Sequence, residues 1–299
     1  MPKNVHAALW ISLGGFLLVC MSSLIKELGE ELHTFQIVFI RSLFGMFFIL
    51  PVMLNHGLAS FKTQRPLLHC VRVCLGMITM YCVFYTLIHM ALAEAVAIVF
   101  SRPLFVLLLA IPLLGEVIGW RRATATAVGF LGVLVMVKPG TPDFEPVALV
   151  AVIGAMFAGS VIIAIKKLSA TDSVRCIVFW FSAGGTLISL IPAMIVWQMP
   201  SAEAWFMLIA VGGFGVTGQI ASTRGFSLGE ASAVAAFDYL RLIYAGIFGI
   251  ILFAEIPDTS ALTGAAIIVA STLYIARREI KVAAGRNQRQ VPEPPGTST

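Results

Sequence analysis

Asp238 and Arg241 sit near the middle of the apolar run AVAAFDYLRLIYAGIFGIILF, residues 233–253, and Arg102 interrupts a second such run within FSRPLF. On insertion scales a lone charge at the centre of a bilayer costs about 2.5–3.5 kcal/mol, so three unpaired would cost about 8–10 kcal/mol. That rivals the net stability of a typical fold, about 5–15 kcal/mol. These groups must therefore face protein or water. Asp238 and Arg241 are three residues apart and share a helix face. A carboxylate with two guanidiniums can pair to fix helix register, form a gate that breaks and remakes, or hold a solute. One acid against two bases leaves a surplus positive charge, which points to an anionic or carboxylate-bearing ligand.

Other side chains complete the candidate binding set. Arg41 lies about 10 Å from the start of its run at 1.5 Å per residue. Tyr81 and Tyr85 are four residues apart on a face shared with Met77, Gln219 lies in a later run, and Tyr239 and Tyr244 flank Arg241, with Tyr244 close enough to steer its guanidinium. Arg72, a few residues from the end of its run, is expected to snorkel to the headgroups. Pro103 removes one backbone hydrogen bond beside Arg102, which frees a carbonyl or kinks the helix. No catalytic set is visible: His6, His33, His56, His69 and His89 scatter over ends and loops. The five cysteines lie in or beside apolar runs and are read as packing residues. Cys70 and Cys74, one turn apart next to His69, would be the arrangement nearest to a metal site, but no metal or other cofactor is expected.

The elements that position these residues follow from bulk composition. Of 299 residues 59% are hydrophobic and 12% charged, against about 45–50% and 25% for a soluble domain. Ten apolar runs of near-spanning length occur, at 7–25, 34–54, 67–90, 95–114, 123–137, 146–165, 174–197, 205–223, 231–253 and 260–276. The first exceeds a signal-peptide core and no clear cleavage site follows it, so it is read as a retained span. With the N-terminus placed in the cytoplasm, 14 of the 20 Lys and Arg fall on the inner side, and only Lys26 and Lys138 on the outer. Both termini are thus expected in the cytoplasm. The net charge of +5 is spread over short loops and a tail, so nucleic acid is not an expected partner. GGFGVTGQ, residues 212–219, is glycine-rich but lies inside an apolar run without a following Lys-Ser or Lys-Thr, which favours close helix packing over phosphate binding.

The chain also repeats itself. LIKEL (24–28) over AIKKL (164–168) sets an offset of 140 residues that brings Ile37-Val38-Phe39 onto Ile177-Val178-Phe179, Ser42 onto Ser182 and Gly45 onto Gly185. MALAEA (90–95) matches FSLGEA (226–231) at 136, and LGEV (114–117) matches FAEI (253–256) at 139. Each half holds five runs, and an odd number inverts the second half relative to the first, the arrangement used in alternating access. Glu94 then falls outside against Glu230 inside, and Glu116 inside against Glu255 outside. The offset of 136 also makes Arg102 the equivalent of Asp238, so the two are expected to meet on a pseudo-twofold axis.

With FQIVFIRSLFG around Arg41, RVCLGM at Arg72, ALAEAVAIVFSRPLFVLLLAIPLLGE from Ala91 to Glu116 and AFDYLRLIYAGIFGIILFAEIP ending at Pro257, the chain resembles the drug/metabolite transporter superfamily, specifically its EamA-type members, over about residues 7–280. The resemblance implies an all-α polytopic membrane protein: ten transmembrane helices as two inverted five-helix repeats, 1–140 and 141–280, around a central cavity lined by the fourth and ninth helices. Residues 281–299 form a polar cytoplasmic tail expected to be disordered. The implied activity is secondary transport of a small organic metabolite across the cell (inner) membrane. The lipid bilayer and that metabolite are the expected partners, and a homodimer is an assembly open to it. An intramembrane transferase would need clustered catalytic groups at one face, and a sensor or scaffold a soluble output domain. Neither feature is apparent.

Overall fold

Apolar segments removed from water satisfy their backbone polar groups most simply as helices. The computed structural model of the chain describes residues 3–114, 120–228 and 237–289, and these are helical with short connections. The helices are α1 (Lys3–Leu28), α2 (Thr34–Leu54), α3 (Pro66–His89), α4 (Leu92–Val99), α5 (Arg102–Leu114), α6 (Trp120–Val137), α7 (Pro146–Leu168), α8 (Val174–Ile195), α9 (Ala202–Leu228), α10 (Leu240–Phe253) and α11 (Thr259–Arg289). Among the described residues seven helical stretches are long and apolar enough to cross a membrane, one of them Leu92–Leu109 across α4 and α5. Ala123–Val137, Leu240–Phe253 and Thr259–Ile275 are shorter apolar helices. Leu67, Leu187, Phe206 and Ile251 are among the large side chains left on the outer surface, each more than two-thirds exposed. Such a surface suits lipid and would aggregate in water.

Two segments differ from expectation. The run at 95–114, expected as one kinked span, is two helices broken at Phe100 and Ser101. Pro103 is the second residue of α5, where its missing N–H costs nothing because the first-turn donors have no helical partner. The Ser101 hydroxyl donates back to the Ile98 carbonyl at 2.6 Å, closing the end of α4. At the other end of the chain, α11 runs to Arg289 and so enters the stretch expected to be disordered. Residues 290–299, Glu116 and Glu230 lie outside the described residues.

The helices pack in four main pairs: α1 on α9, α3 on α7, α2 on α8 and α6 on α11. Helix α4 lies against α10 and α7. Small residues set the seams, because in lipid helices associate through close van der Waals contact. A Cβ on Gly14 of α1 would fall 2.9 Å from the Gly218 carbonyl of α9, and one on Gly132 of α6 would fall 2.9 Å from the Gly264 carbonyl of α11. Gly218 lies within the glycine-rich stretch of α9, which is thus a packing surface. Where α2 crosses α8, Gly45 faces the Ser182 hydroxyl and Gly185 faces that of Ser42, at 3.4 and 3.3 Å from the Cβ each glycine lacks. The core of Val19, Ile25, Ile37, Ile40, Met77, Leu92, Ile98 and Leu208 runs through the centre of this arrangement.

Candidate functional site

The central charges sit at helix discontinuities. Arg102 is the first residue of α5, directly after the break, and Asp238 lies two residues before α10. Their side chains meet, with Arg102 Nη2 3.4 Å from Asp238 Oδ2 and 29% and 15% of the two side chains exposed. The offset of 136 residues anticipates this pairing. Arg241 packs its Cβ beside Gly15 of α1, 3.5 Å from where a Cβ would stand. Its Nε is buried without a hydrogen-bond partner. Among the described residues Asp238 pairs with Arg102 and not with Arg241, so the two bases are held differently although one acid lies near both.

The aromatic candidates divide. Tyr239 hydrogen-bonds through its hydroxyl to Thr272 of α11 and lays its ring 5.2 Å from Phe100 at the α4–α5 break. It therefore belongs to the wall around the ion pair. Tyr244 sets its ring edge-on to Phe16 at 5.7 Å, and not over Arg241 as the spacing suggested. Tyr81 packs edge-on against Phe35 at 5.2 Å, with its hydroxyl buried and unpartnered. Tyr85 is 39% exposed and stacked on His89 at 4.1 Å. Tyr81 and Tyr85 thus do not form one lining, and Met77, expected on their face, is buried against α8. Gln219 is half-buried in α9.

Arg72 does not reach outward as the sequence suggested. Its side chain is turned along α3 away from Pro66, so that Nη1 would lie 2.2 Å from a Cβ on Gly76. The guanidinium stacks on the Phe181 ring of α8 at 4.2 Å, the residue is 5% exposed, and Nε and Nη1 have no partner. Arg41, 9% exposed, is buried on the adjoining α2. Sequence reasoning missed Arg72 because distance from a helix end does not tell which way a long side chain turns.

Each end of the bundle is tied by polar contacts. At one end Lys26 Nζ meets Glu255 at 2.6 Å and donates to the Met90 carbonyl at 2.6 Å, while Glu255 accepts from the Leu92 amide at 2.8 Å. Lys138 pairs there with Asp258. Glu31 accepts from Ser201, and Gln36 exchanges hydrogen bonds with the Gln198 backbone at 2.7 and 3.0 Å. The Lys138 ammonium, with the Ala261 amide and the Ser260 hydroxyl, holds the Asp258 carboxyl down to about 2. A cleft of about 300 Å³ opens beside this pair, lined by Glu94, Asp143, Glu145 and Asp258 against Lys138. Its acidic excess makes it a poor receptor for an anion.

At the opposite end Asp172 gathers the loops. It accepts from Thr63 at 2.6 Å, from the Gln64 amide at 3.4 Å and meets His69 Nε2 at 2.8 Å. Burial opposes its ionisation, but these hydrogen bonds outweigh it and hold the carboxyl below its usual range. His69, Asp172 and Cys176 bring their ligand atoms within 4.8 Å of one another, while Cys70 and Cys74 are exposed. The His69–Cys70–Cys74 grouping is therefore replaced by one that closes two loops.

A sequence profile described as the EamA-like transporter family matches residues 6–138 and 146–277. The chain is 34% identical over 283 residues to an S-adenosylmethionine uptake transporter of Rickettsia felis, covering 93% of this chain and 96% of that one. It is 33% identical over 270 residues to the pseudopaline exporter CntI of Pseudomonas aeruginosa, covering 89% and 94%. In three dimensions it is similar to a solved crystal structure at a TM-score of 0.63 and 18% identity, covering 91% of this chain and 98% of the other. That likeness concerns the fold alone.

Proposed function

The chain belongs to the EamA-like transporter family, and from that premise we propose that it carries a small organic metabolite bearing an anionic or carboxylate group by alternating access between two inverted five-helix repeats. The coarser statement stands by itself: it is a multi-pass membrane transporter for small metabolites and not an enzyme, as its named relatives are. Those relatives run in opposite directions, one named for uptake and one for export, so direction does not transfer.

The observation that carries the proposal is the Arg102–Asp238 pair, which links the halves at repeat-equivalent positions beside Arg241, a second base without a carboxylate of its own. Exchanging the halves exchanges the α1–α9 contact with α3–α7 and returns α2–α8 and α6–α11 to themselves. The crossed Gly45–Ser182 and Gly185–Ser42 contacts have the same reciprocity, which is what a twofold-related interface produces. These relations support ten membrane-crossing segments arranged as repeats 1–140 and 141–280, with both termini cytoplasmic in an inner membrane by the Lys and Arg bias. Arg102, Asp238, Arg241, Tyr239 and Gln219 are proposed to line the path, with Tyr81, Tyr244 and Arg41 along its walls. Tyr85 contributes from the end of α3. S-adenosylmethionine, named for one relative, bears a carboxylate beside a sulfonium and an ammonium, so it fits this reading through its carboxylate alone.

The test is counterflow in proteoliposomes with labelled S-adenosylmethionine, competed by carboxylates, zwitterionic amino acids, neutral vitamins and amine cations. Carboxylate-bearing compounds should compete, and Arg241→Gln should lower flux at least about tenfold, the loss of one charge-assisted hydrogen bond. Equal competition by cations, unchanged in Arg241→Gln, would sink the anionic substrate while leaving transport intact.

A further inference from the structure

Beyond the central group of Arg102, Asp238 and Arg241, two more cations lie inside the bundle among the described residues. Arg41 on α2 and Arg72 on α3 are 9% and 5% exposed. Neither forms an ion pair or a side-chain hydrogen bond among the described residues, and Nε and Nη1 of Arg72 are sealed from solvent without an acceptor. Met77, next to Gly76, and Ser42, next to Arg41, both approach Gly185 of α8, at 3.0 and 3.3 Å from the Cβ it lacks, so the two guanidiniums lie at one level of the bundle, where solvent screening is weakest and like charges repel. An isolated buried charge costs several kcal/mol unless paired. A site that tolerates two like charges is built for a partner of opposite sign.

Its walls keep space for the guanidiniums. A Cβ on Gly215 of α9 would stand 3.4 Å from Arg41 Nη2 and 3.0 Å from Met21 Sδ, and one on Gly76 would clash with Arg72 Nη1 at 2.2 Å. Phe181 backs the Arg72 plane at 4.2 Å, which orients its donor edge. Arg41 is seven residues into α2 and Arg72 six into α3, about 10 and 9 Å along helices that start from opposite ends of the bundle. Arg72 turns its guanidinium further inward, away from headgroup depth.

We propose that Arg41 and Arg72 form an anion subsite that receives a carboxylate of a soluble metabolite, separate from the Arg102–Asp238 pair. The shared chemistry, an oxyanion between two guanidinium forks, could also be met by a lipid phosphate. Depth favours the soluble carboxylate. This inference rests on the reading of the chain as a carrier of anionic solutes.

The experiment uses the full chain in phosphatidylcholine nanodiscs, with sodium succinate as the probe and unfolding midpoint and calorimetric affinity as readouts. Succinate should raise the midpoint saturably. Arg41→Gln and Arg72→Gln should each weaken its affinity about tenfold or more while raising the midpoint of the ligand-free protein, because each removes an unpaired buried charge. A merely structural arginine would lower that midpoint. Arg121→Gln, at the exposed start of α6 and outside both sites, should keep the succinate response. If a Gln variant fails to fold, Arg41→Lys and Arg72→Lys decide, since a lysine keeps the charge but loses the bidentate fork and should still weaken binding. A response lost in Arg241→Gln but kept in both Arg41 and Arg72 variants overturns the subsite and leaves the central site standing. No response in the parent overturns it as well. Replacing half the lipid by phosphatidylglycerol should leave the succinate response unchanged, and its abolition would assign the pair to a lipid phosphate instead.

Discussion

Arg102 and Asp238 meet across the two halves of the chain at 3.4 Å while keeping 29% and 15% exposure, so they are joined loosely enough to part during a transport cycle and too deeply to be left single. Asp238→Asn strands Arg102 and should cost about 1–3 kcal/mol of stability, at the low end because both groups keep some water. The reversed pair, Arg102→Asp with Asp238→Arg, should recover that stability in thermal unfolding. Recovery of stability without transport would mean that the substrate reads the sign at each position. Asp258 offers a pH test at the surface. Its carboxyl is held to about 2 by Lys138, the Ala261 amide and Ser260, against about 3.9 when unfolded. A lowered acid contributes stability above its unfolded value and loses it as pH falls through the folded one. The loop before α11 should therefore stay protected from hydrogen exchange at pH 5 and open between about pH 4 and 2. Asp258→Asn should abolish that dependence, and persistence of the step in the variant would remove Asp258 as its source.

The helices owe their positions to what their sequences leave out. Gly132 and Gly264 bring α6 and α11 so close that a Cβ on either would come within 3 Å of the other's carbonyl. Gly132→Leu should therefore destabilise by about 1–3 kcal/mol or more, seen as a lower unfolding midpoint in detergent. An unchanged midpoint would show that the seam can widen. The break between α4 and α5 is the other element whose form matters. By ending α4 at Val99 and starting α5 at Arg102, it puts a charged side chain at a helix start inside the bundle. Irregular backbone at that depth is tolerated where it is buried in protein or lines a cavity.

As a whole, the molecule is tied at the Lys26 end by contacts that include every connection there: α1–α2 through Glu31, α3–α4 through Met90, α6–α7 through Lys138, α8–α9 through Ser201 and α10–α11 through Glu255 and Asp258. The proposed alternating access requires this end to open. Cysteines placed at Lys26 and Glu255 and joined by a short bis-methanethiosulfonate, in a chain with its five native cysteines changed to serine, should stop transport in proteoliposomes and release it on reduction. Continued flux through the cross-linked protein would mean that this end stays shut throughout the cycle.

Much of this was legible in the chain itself. The runs at 34–54 and 146–165 fall on α2 and α7 because a helix in lipid must be apolar along its length. The partnership of Arg102 with Asp238 follows from the internal offset, since residues equivalent under a twofold relation can meet on its axis. Tertiary structure decided what depends on neighbours distant in sequence. Phe181 and Gly76 turn Arg72 inward, Phe16 takes the Tyr244 ring from Arg241, and Glu255 is drawn to Lys26 across the bundle. Periodicity fixes which residues lie along a helix, but the direction of a long side chain is set by the space and charge that other helices leave for it.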